Sequence, residues 1–329
     1  MEELVGSKTS CYVGDFSSRD FEINMNKDTE NIAMQQLSGN TMSIMSNRLS
    51  YFFGLQGPSL TVDTACSSGL VALHLACQSI KFGESKMVSR HGFALASCTS
   101  FSAILVTICS FVVSFDLWQL TNPQAIVAGV NLMLSPDMTM ALDALHLLSP
   151  DGKSYAFDSR ANGYGRGEGF AVVILKPKIA AIRDNDRIRA IVRGTGCNHD
   201  GKTRGLHLPS AEAQEALIRD TYATAGLDLK DTAYCEAHGT GTAVGDPLEA
   251  KALAATFGKA RESSFPLLIG SVKSNIGHLE GAAGLVAVIK TVLALERGII
   301  PPSVNFETPT ARIPFANNNL EVITALFQA

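Results

Sequence analysis

Short, almost uninterrupted apolar runs are the feature that most constrains the fold of this chain. Three of them, Ala125–Val130, Phe170–Leu175 and Ala190–Val192, lack the polar alternation of a half-exposed strand and are too short for a typical helix. Such runs are typical of strands buried on both faces, and buried strands need helices to cover them. The pattern therefore predicts an α/β fold built in layers.

Helical segments lie between these runs, with glycine at many of the junctions. Met34–Leu49 predicts one helix, and a second begins at Ser67, where apolar residues recur at spacings of three and four. A third covers Pro209–Ala225, with Ser210 as its N-cap. A fourth, rich in Gly and Ala, runs from Gly281 to Leu295. The alternation of strands and helices supports the prediction of α/β layers.

The composition excludes several classes of protein. Of the 329 residues, 46% are hydrophobic and 18% are charged, which is too apolar for a disordered chain. A formal charge of −4 without a basic stripe argues against binding of nucleic acid. Seven cysteines without a CxxC pair favour a reducing compartment, and the acidic N-terminus lacks the apolar core of a signal peptide. We therefore expect a cytoplasmic protein.

One cysteine lies where a thiol can react. Cys66 follows the predicted strand Ser59–Val62 and directly precedes the helix that begins at Ser67. The positive end of the helix dipole favours a thiolate at this position. The neighbouring residues from Asp63 to Gly69 include several small ones, which would let a substrate approach. A buried core thiol is the alternative interpretation for a cysteine taken alone.

Two histidines lie at similar element boundaries beside glycine. His238 lies in Glu236–Thr242 (EAHGTGT), after the strand-like run Ala233–Cys235, and His278 ends Lys273–His278 (KSNIGH). Each histidine alone is more often structural, but one thiol and two imidazoles placed in this way indicate nucleophilic catalysis. The other histidines are predicted to be structural, and the chain has no paired Cys/His spacing typical of a metal site.

Three ordered motifs carry a family resemblance. Asp63–Ser68 (DTACSS), Glu236–Thr242 and Lys273–His278 resemble the three signatures of β-ketoacyl synthases, in the form found in polyketide synthases and animal-type fatty acid synthases. Ser149–Gly169 is similar to the ketosynthase domain of fungal, highly reducing iterative polyketide synthases. The resemblance covers nearly the whole chain outside Val88–Gln124.

The resemblance implies a thiolase-like fold, in which two pseudo-duplicated α/β halves form a layered αβαβα core, usually as a homodimer. We expect residues 1–177 and 178–329 to be the two halves. The implied reaction is a decarboxylative Claisen condensation in polyketide or fatty acid biosynthesis, which makes the chain an acyltransferase. Its substrates would be acyl and malonyl thioesters, carried on the phosphopantetheine of an acyl-carrier protein beside other polyketide synthase domains. No directly bound cofactor and no metal are implied.

The resemblance also assigns roles to individual residues. Cys66 would hold the growing acyl chain as a thioester, while His238 and His278 would promote decarboxylation of the malonyl group and stabilise the enolate. Lys273 would orient the second histidine. Three polar side chains of the second and third motifs would bind the substrate: Thr240, Thr242 and Asn275.

Three departures from the family pattern leave alternatives open. The family begins with a strand and helix upstream of Lys8 and ends with a Gly-Phe-Gly-rich motif beyond Ala329, so we expect a domain incomplete at both ends. The 37-residue stretch Val88–Gln124 lengthens the spacing between the first two motifs, and its residues from Gly92 to Phe115 carry no charge. We interpret this stretch as a translated, retained intron, with a real insertion or a membrane span as the alternative. The alternative functions are an inactive fragment of a polyketide synthase and a membrane-anchored acyl-binding protein.

Overall fold

The residues of this chain group into two compact units. A computed structural model describes residues 4–16, 18, 20, 22, 30, 36–85, 112–114, 124–205 and 208–328. The first unit is formed by Met1–Met140, Glu168–Arg193 and Leu279–Ile289. The second is formed by Ala141–Gly167, Gly194–His278 and Lys290–Ala329. Each unit contains β-strands and helices, in agreement with the predicted α/β class.

The first unit is built on a mostly parallel sheet. Its strands are β1 (Ser10–Gly14), β2 (Ser59–Val62), β3 (Val112–Ser114), β4 (Ala125–Asn131), β5 (Gly169–Leu175) and β6 (Ile188–Ile191). Among the described residues they lie in the order β2-β1-β4-β5-β3-β6. Every neighbouring pair is parallel except β4 with β5. All four strands predicted for this part of the sequence overlap an observed strand.

The helices of the first unit differ from the prediction at two points, since one predicted helix is divided and two short helices, Asp137–Ala144 and Lys178–Arg183, are not predicted. The helices of this unit are α1 (Gln36–Asn40), α2 (Met42–Phe53), α3 (Ser68–Lys81) and α5 (Lys178–Arg183), while α4 (Asp137–Ala144) begins in the first unit and ends in the second. The single helix predicted over residues 34–49 is two helices, because Thr41 has an extended backbone with φ −71° and ψ 151°. Gly54 ends α2 in the left-handed region, with φ 65°.

The predicted burial on both faces is wrong for all three apolar runs. β5 alternates buried and less buried residues, and β6 has no buried residue. β4 also alternates, so only one of its faces is fully buried.

Glycines let α3 approach the sheet of the first unit. On the buried face of β4, a Cβ on Gly129 would lie 2.8 Å from the carbonyl oxygen of Gly281. A Cβ on Gly69, near the start of α3, would lie 2.6 Å from the same oxygen. The segment at Gly281 therefore packs against both β4 and the start of α3. A Cβ on Gly14 of β1 would overlap the Gly69 backbone nitrogen, so the beginning of α3 is also held directly against the sheet.

The second unit carries a smaller parallel sheet. Its strands β7 (Tyr234–Glu236), β8 (Leu267–Gly270) and β10 (Leu320–Val322) lie in the order β10-β8-β7 within the described ranges. β9 (Ile299–Ile300) pairs antiparallel with β11 (Phe327–Gln328). The core of this unit is a cluster of buried apolar side chains that includes Phe157, Leu267 and Ile269.

After the end of α4, four more helices of the described residues contribute to the second unit. They are α6 (Ala211–Ala225), α7 (Gly245–Leu253), α8 (Lys273–Ile276) and α9 (Glu280–Arg297), the last of which begins in the first unit. A π-helical turn (Ala254–Gly258) continues α7, and 3₁₀ turns lie at Leu229–Asp231 and Ala316–Asn318. Ser210 caps α6 as predicted, because its hydroxyl oxygen accepts a hydrogen bond from the Ala213 N–H at 3.1 Å.

Most of the stretch 88–124 lies outside the described residues, so the interpretations of this stretch stay predictions. The exceptions are Gln124 and the strand Val112–Ser114, whose backbone pairs in parallel with β5 and β6. Within the described part of the chain, no helix combines the length and the apolar character that crossing a membrane requires.

Candidate active site

Cys66 lies in the first unit, in the tight turn that joins β2 to α3. Ala65, directly before it, has a left-handed backbone with φ 54°, which is uncommon for a residue with a side chain. Several hydrogen bonds hold this turn, including two between side chains and the Ala65 backbone. The Ala65 N–H donates to the Asp63 carboxylate at 2.9 Å, and the Ser68 hydroxyl donates to the Ala65 carbonyl oxygen at 2.6 Å. Half-buried Cys66 therefore lies between strand and helix, as the sequence predicts.

His238 lies in the second unit, two residues beyond the end of β7. Its backbone is held by α7, since the N–H groups of His238 and Gly239 donate to the two carboxylate oxygens of Glu249 at 2.6 and 2.9 Å. On the other side, the Ser271 hydroxyl donates to the His238 carbonyl oxygen at 3.2 Å. Part of the His238 surface stays accessible to solvent, and its position is fixed through its backbone.

His278 also lies in the second unit and follows a glycine with an unusual backbone. Gly277 has φ 76° and ψ −176°, a region that is essentially restricted to glycine. The His278 N–H donates to the Gly165 carbonyl oxygen at 2.7 Å, and the Gly167 N–H donates to the His278 carbonyl oxygen at 2.9 Å. The Tyr164 ring packs against the imidazole, with 4.8 Å between centroids. These contacts leave His278 only 2% exposed.

The two imidazoles are neighbours. Their centroids lie 5.5 Å apart, and their planes are nearly perpendicular at 86°. Loss of hydration and the positive charge of buried Lys273 lower the pKa of both rings well below the ordinary value for histidine. Both rings are therefore neutral at pH 7, and each has one N–H to donate. The second unit thus brings together His238, His278 and Lys273 of the predicted site.

The residues predicted to bind the substrate belong to the same unit. The hydroxyl oxygens of Thr240 and Thr242 lie 3.1 Å apart, and the latter also accepts the Gly245 N–H at 3.2 Å, at the start of α7. Thr240 is buried, whereas Asn275 is exposed on α8. Their role in binding stays a prediction.

Two acidic residues of α7 support the site and were missed by the sequence analysis. Glu249 holds the His238 backbone, and Asp246 accepts the N–H groups of Phe157 and Gly241 at 2.7 and 3.2 Å. Burial raises the pKa of Asp246 to about 7. The sequence signal that could have indicated Asp246 is an acidic residue in the first turn of a helix that follows a glycine-rich loop. Their partners lie up to 89 residues away along the chain, where local patterns carry no information.

Two family models match the chain. The N-terminal domain of β-ketoacyl synthases matches in two pieces, residues 1–105 and 96–181, and the C-terminal domain matches residues 189–307. The two N-terminal pieces meet inside the stretch 88–124, where the sequence departs from the family pattern.

Fungal polyketide synthases are among the similar proteins. A highly reducing polyketide synthase of Preussia isomera is 47% identical over 326 residues, which are 99% of this chain and 12% of that protein. A highly reducing polyketide synthase of Emericella nidulans is 47% identical over 305 residues, 93% of this chain and 11% of the relative. The chain therefore spans about a tenth of the length of these relatives.

Solved bacterial ketosynthases share the fold. The ketosynthase from module 6 of the bacillaene synthase of Bacillus subtilis has a TM-score of 0.80 and 35% identity, and the comparison covers 99% of this chain and 49% of that one. An oxazolomycin ketosynthase domain of Streptomyces albus has a TM-score of 0.79 and 31% identity, covering 98% and 49%. These similarities confirm the predicted thiolase-like α/β fold, and the chain spans about half of each solved ketosynthase. Together with the family models, they show that this chain belongs to the β-ketoacyl synthase family.

Proposed function

We propose that this chain catalyses the condensing step of a polyketide synthase. The observation that carries the proposal is the pair of neutral imidazoles beside Lys273, which offers two ring N–H groups to a thioester oxygen as negative charge develops on it. Membership of the β-ketoacyl synthase family supports this reaction. It favours a condensing enzyme over an inactive fragment or a membrane-anchored acyl-binding protein.

In the first half-reaction, Cys66 accepts the acyl chain. Its thiolate attacks the carbonyl carbon of an acyl thioester, the carbon–sulfur bond to the carrier breaks, and the carrier leaves as a thiolate. The location of Cys66 just before α3 supports this role, since the N-terminal end of a helix favours the thiolate form.

In the second half-reaction, the malonyl group loses CO₂, and the electron pair of the broken carbon–carbon bond forms an enolate. His238 and His278 donate hydrogen bonds to the enolate oxygen. The enolate carbon then attacks the Cys66 thioester, so that a carbon–carbon bond forms and the Cys66 thiolate is released. Loss of hydration and the charge of Lys273 together support this step, because they keep both imidazoles unprotonated.

The remaining expectations belong to the same proposal. The acyl and malonyl groups arrive on the phosphopantetheine of an acyl-carrier protein, and three polar side chains contact this arm: Thr240, Thr242 and Asn275. The chain acts in the cytoplasm, as a homodimer beside other polyketide synthase domains. Residues 1–177 and 178–329 form the two pseudo-duplicated halves.

Acyl loading tests the nucleophile. The chain is incubated with a short acyl pantetheine thioester, and intact mass and peptide mapping should place one acyl group on Cys66. Cys66→Ala should abolish loading, while Cys66→Gln should leave a decarboxylase that cannot condense. Acylation of the Cys66→Ala variant at the parent rate would contradict the assignment.

Release of CO₂ from a malonyl thioester tests the two histidines. Loss of one donor to a developing oxyanion costs about 100- to 1,000-fold in rate, and we expect such a loss for His278→Ala. His146→Asn is the matched control, because His146 is exposed with φ 53°, a left-handed backbone that Asn tolerates. Equal rates in the two variants would overturn the proposed role of His278.

Sequencing of the transcript tests the origin of the stretch 88–124. We propose that it is a retained intron, and sequencing of cDNA across the codons for Lys86 to Val127 should yield transcripts that lack its 37 codons. Transcripts that always retain these codons would make the stretch a real insertion. Membrane association of the expressed chain would then be the next measurement.

A further inference from the structure

A lysine inside an otherwise apolar stretch of α9 belongs to a second group of interacting polar residues in the second unit. Lys290 is only 9% exposed. Its Nζ lies 2.6 Å from Oε2 of Glu236 and donates to the hydroxyl of Tyr234 at 3.1 Å. The Tyr234 hydroxyl in turn donates to the same carboxylate oxygen at 2.5 Å. We call these three residues the β7–α9 network.

Stability alone does not account for the β7–α9 network. A buried ion pair loses so much hydration that an apolar pair of similar size is often as stable or more stable. The surroundings are nevertheless shaped around it, since a Cβ on Gly270 would lie 2.8 Å from the Tyr234 hydroxyl. Burial and the nearby Glu236 charge raise the pKa of Tyr234, which keeps the hydroxyl protonated and able to donate.

The second carboxylate oxygen of Glu236 connects the network to the candidate active site. Oε1 accepts the Val272 N–H at 2.5 Å, and Val272 directly precedes Lys273. Glu236 itself lies two residues before His238. One carboxylate therefore joins the segment that leaves β7 with His238 to the segment that leaves β8 with Lys273.

We infer that Tyr234, Glu236 and Lys290 are positioning residues, whose network holds His238 and Lys273 at the separation that decarboxylation requires. Lys290 and Tyr234 orient the carboxylate through one oxygen, so that the other oxygen faces the Val272 N–H. The inference rests on the proposed function. It adds the β7–α9 network to the residues of the proposed function, as a group that acts on the site without contacting the substrate or an imidazole.

Two double variants separate positioning from stability. Glu236→Leu with Lys290→Met removes both charges and leaves the Val272 N–H and the Tyr234 hydroxyl without their acceptor. It should still fold, with an unfolding midpoint below that of the parent because two buried donors are left unsatisfied. We expect its kcat for malonyl thioester decarboxylation to fall about 10- to 100-fold at unchanged KM, the size of effect that a displacement near 1 Å produces. Glu236→Gln with Lys290→Met keeps a carbonyl oxygen for Val272 and should recover most of the rate.

A surface ion pair of the same unit provides the matched control. Lys251 Nζ lies 2.7 Å from the Glu212 carboxylate, and both side chains are exposed. Glu212→Leu with Lys251→Met should therefore retain the parent kcat. A parent-like kcat in the folded variant that combines Glu236→Leu with Lys290→Met, or an equal loss in this control, would overturn the inference.

A readout independent of activity completes the test. In the full chain with isotope-labelled histidine, the ring resonances of His238 and His278 should shift in the first double variant and return in the second. If the parent releases no CO₂, the proposed function fails, while these spectra still decide the positioning inference. If the first double variant does not fold, Tyr234→Phe replaces it. Shifted resonances in that variant support the inference, and parent-like resonances overturn it.

Discussion

Gly277 offers the sharpest test of how the backbone places a candidate catalytic residue. The change Gly277→Ala adds one methyl group directly before His278. That methyl would lie 2.8 Å from the Arg166 carbonyl oxygen and 3.0 Å from the Gly165 carbonyl oxygen. Because ordinary van der Waals contact begins near 3.4 Å, the backbones of Gly277 and Arg166 must separate by at least about 0.6 Å. The hydrogen bonds that join His278 to Gly165 and Gly167 oppose this movement.

Two costs add in this variant. The backbone of Gly277 lies in a region that other residues adopt only at about 1–3 kcal/mol. Overpacking of a tight contact costs about 1–3 kcal/mol more. We therefore expect the free energy of unfolding to fall by about 3 kcal/mol. Displacement of the imidazole should also lower the decarboxylation rate by about 100-fold.

Urea unfolding and CO₂ release measure these two effects. Gly226→Ala is the matched control, because Gly226 has φ 63° and ψ 36° with no atom within 4 Å of an added Cβ. It should cost only about 1 kcal/mol of left-handed strain and leave the rate unchanged. Equal destabilisation by the two changes, or a parent-like rate in Gly277→Ala, would refute the steric argument.

Three further predictions follow from the same structure. Asp158 is completely buried and accepts hydrogen bonds from the guanidinium and N–H of Arg160 and from the N–H groups of Glu307 and Thr308. Asp158→Asn should therefore lower the free energy of unfolding by about 3–5 kcal/mol. The same change at exposed Asp220 should alter it by less than about 0.5 kcal/mol. Burial alone raises the pKa of Asp158, but these donors together hold it well below the ordinary value. The ionised Asp158 carboxylate therefore stabilises the folded chain above about pH 4, and this stabilisation is lost in acid. In urea unfolding from pH 7 to pH 3, the free energy of unfolding should fall less steeply with acid in Asp158→Asn than in the parent. Ser210→Ala removes the cap of α6 and should cost about 1 kcal/mol in the same assay. Because the pKa of both site histidines is lowered, decarboxylation should not lose rate through their protonation between pH 8 and pH 6, and a decline with a midpoint near 6.5 would contradict neutral imidazoles.

The sequence by itself predicts the α/β class and the boundaries of several elements. The strand Ser59–Val62 is observed with its predicted bounds, and α6 begins directly after Ser210, because apolar periodicity and capping act over a few residues. The three motifs identify the family without any knowledge of distances. They also indicate Cys66, His238 and His278, since each lies at the end of an element beside small residues.

Only the tertiary structure shows how His238, His278 and Lys273 are held together and how the two imidazoles are kept neutral. The supporting groups are Glu249 beneath the His238 backbone, the glycine-only conformation of Gly277 and the ion pair between Glu236 and Lys290. Each depends on a contact with a residue that is distant along the chain or on a backbone angle that such contacts impose. Helix periodicity and capping are local, whereas burial and hydrogen bonding across elements follow from packing. The sequence therefore determines which residues stand at the ends of the elements, and packing decides their protonation and their separation.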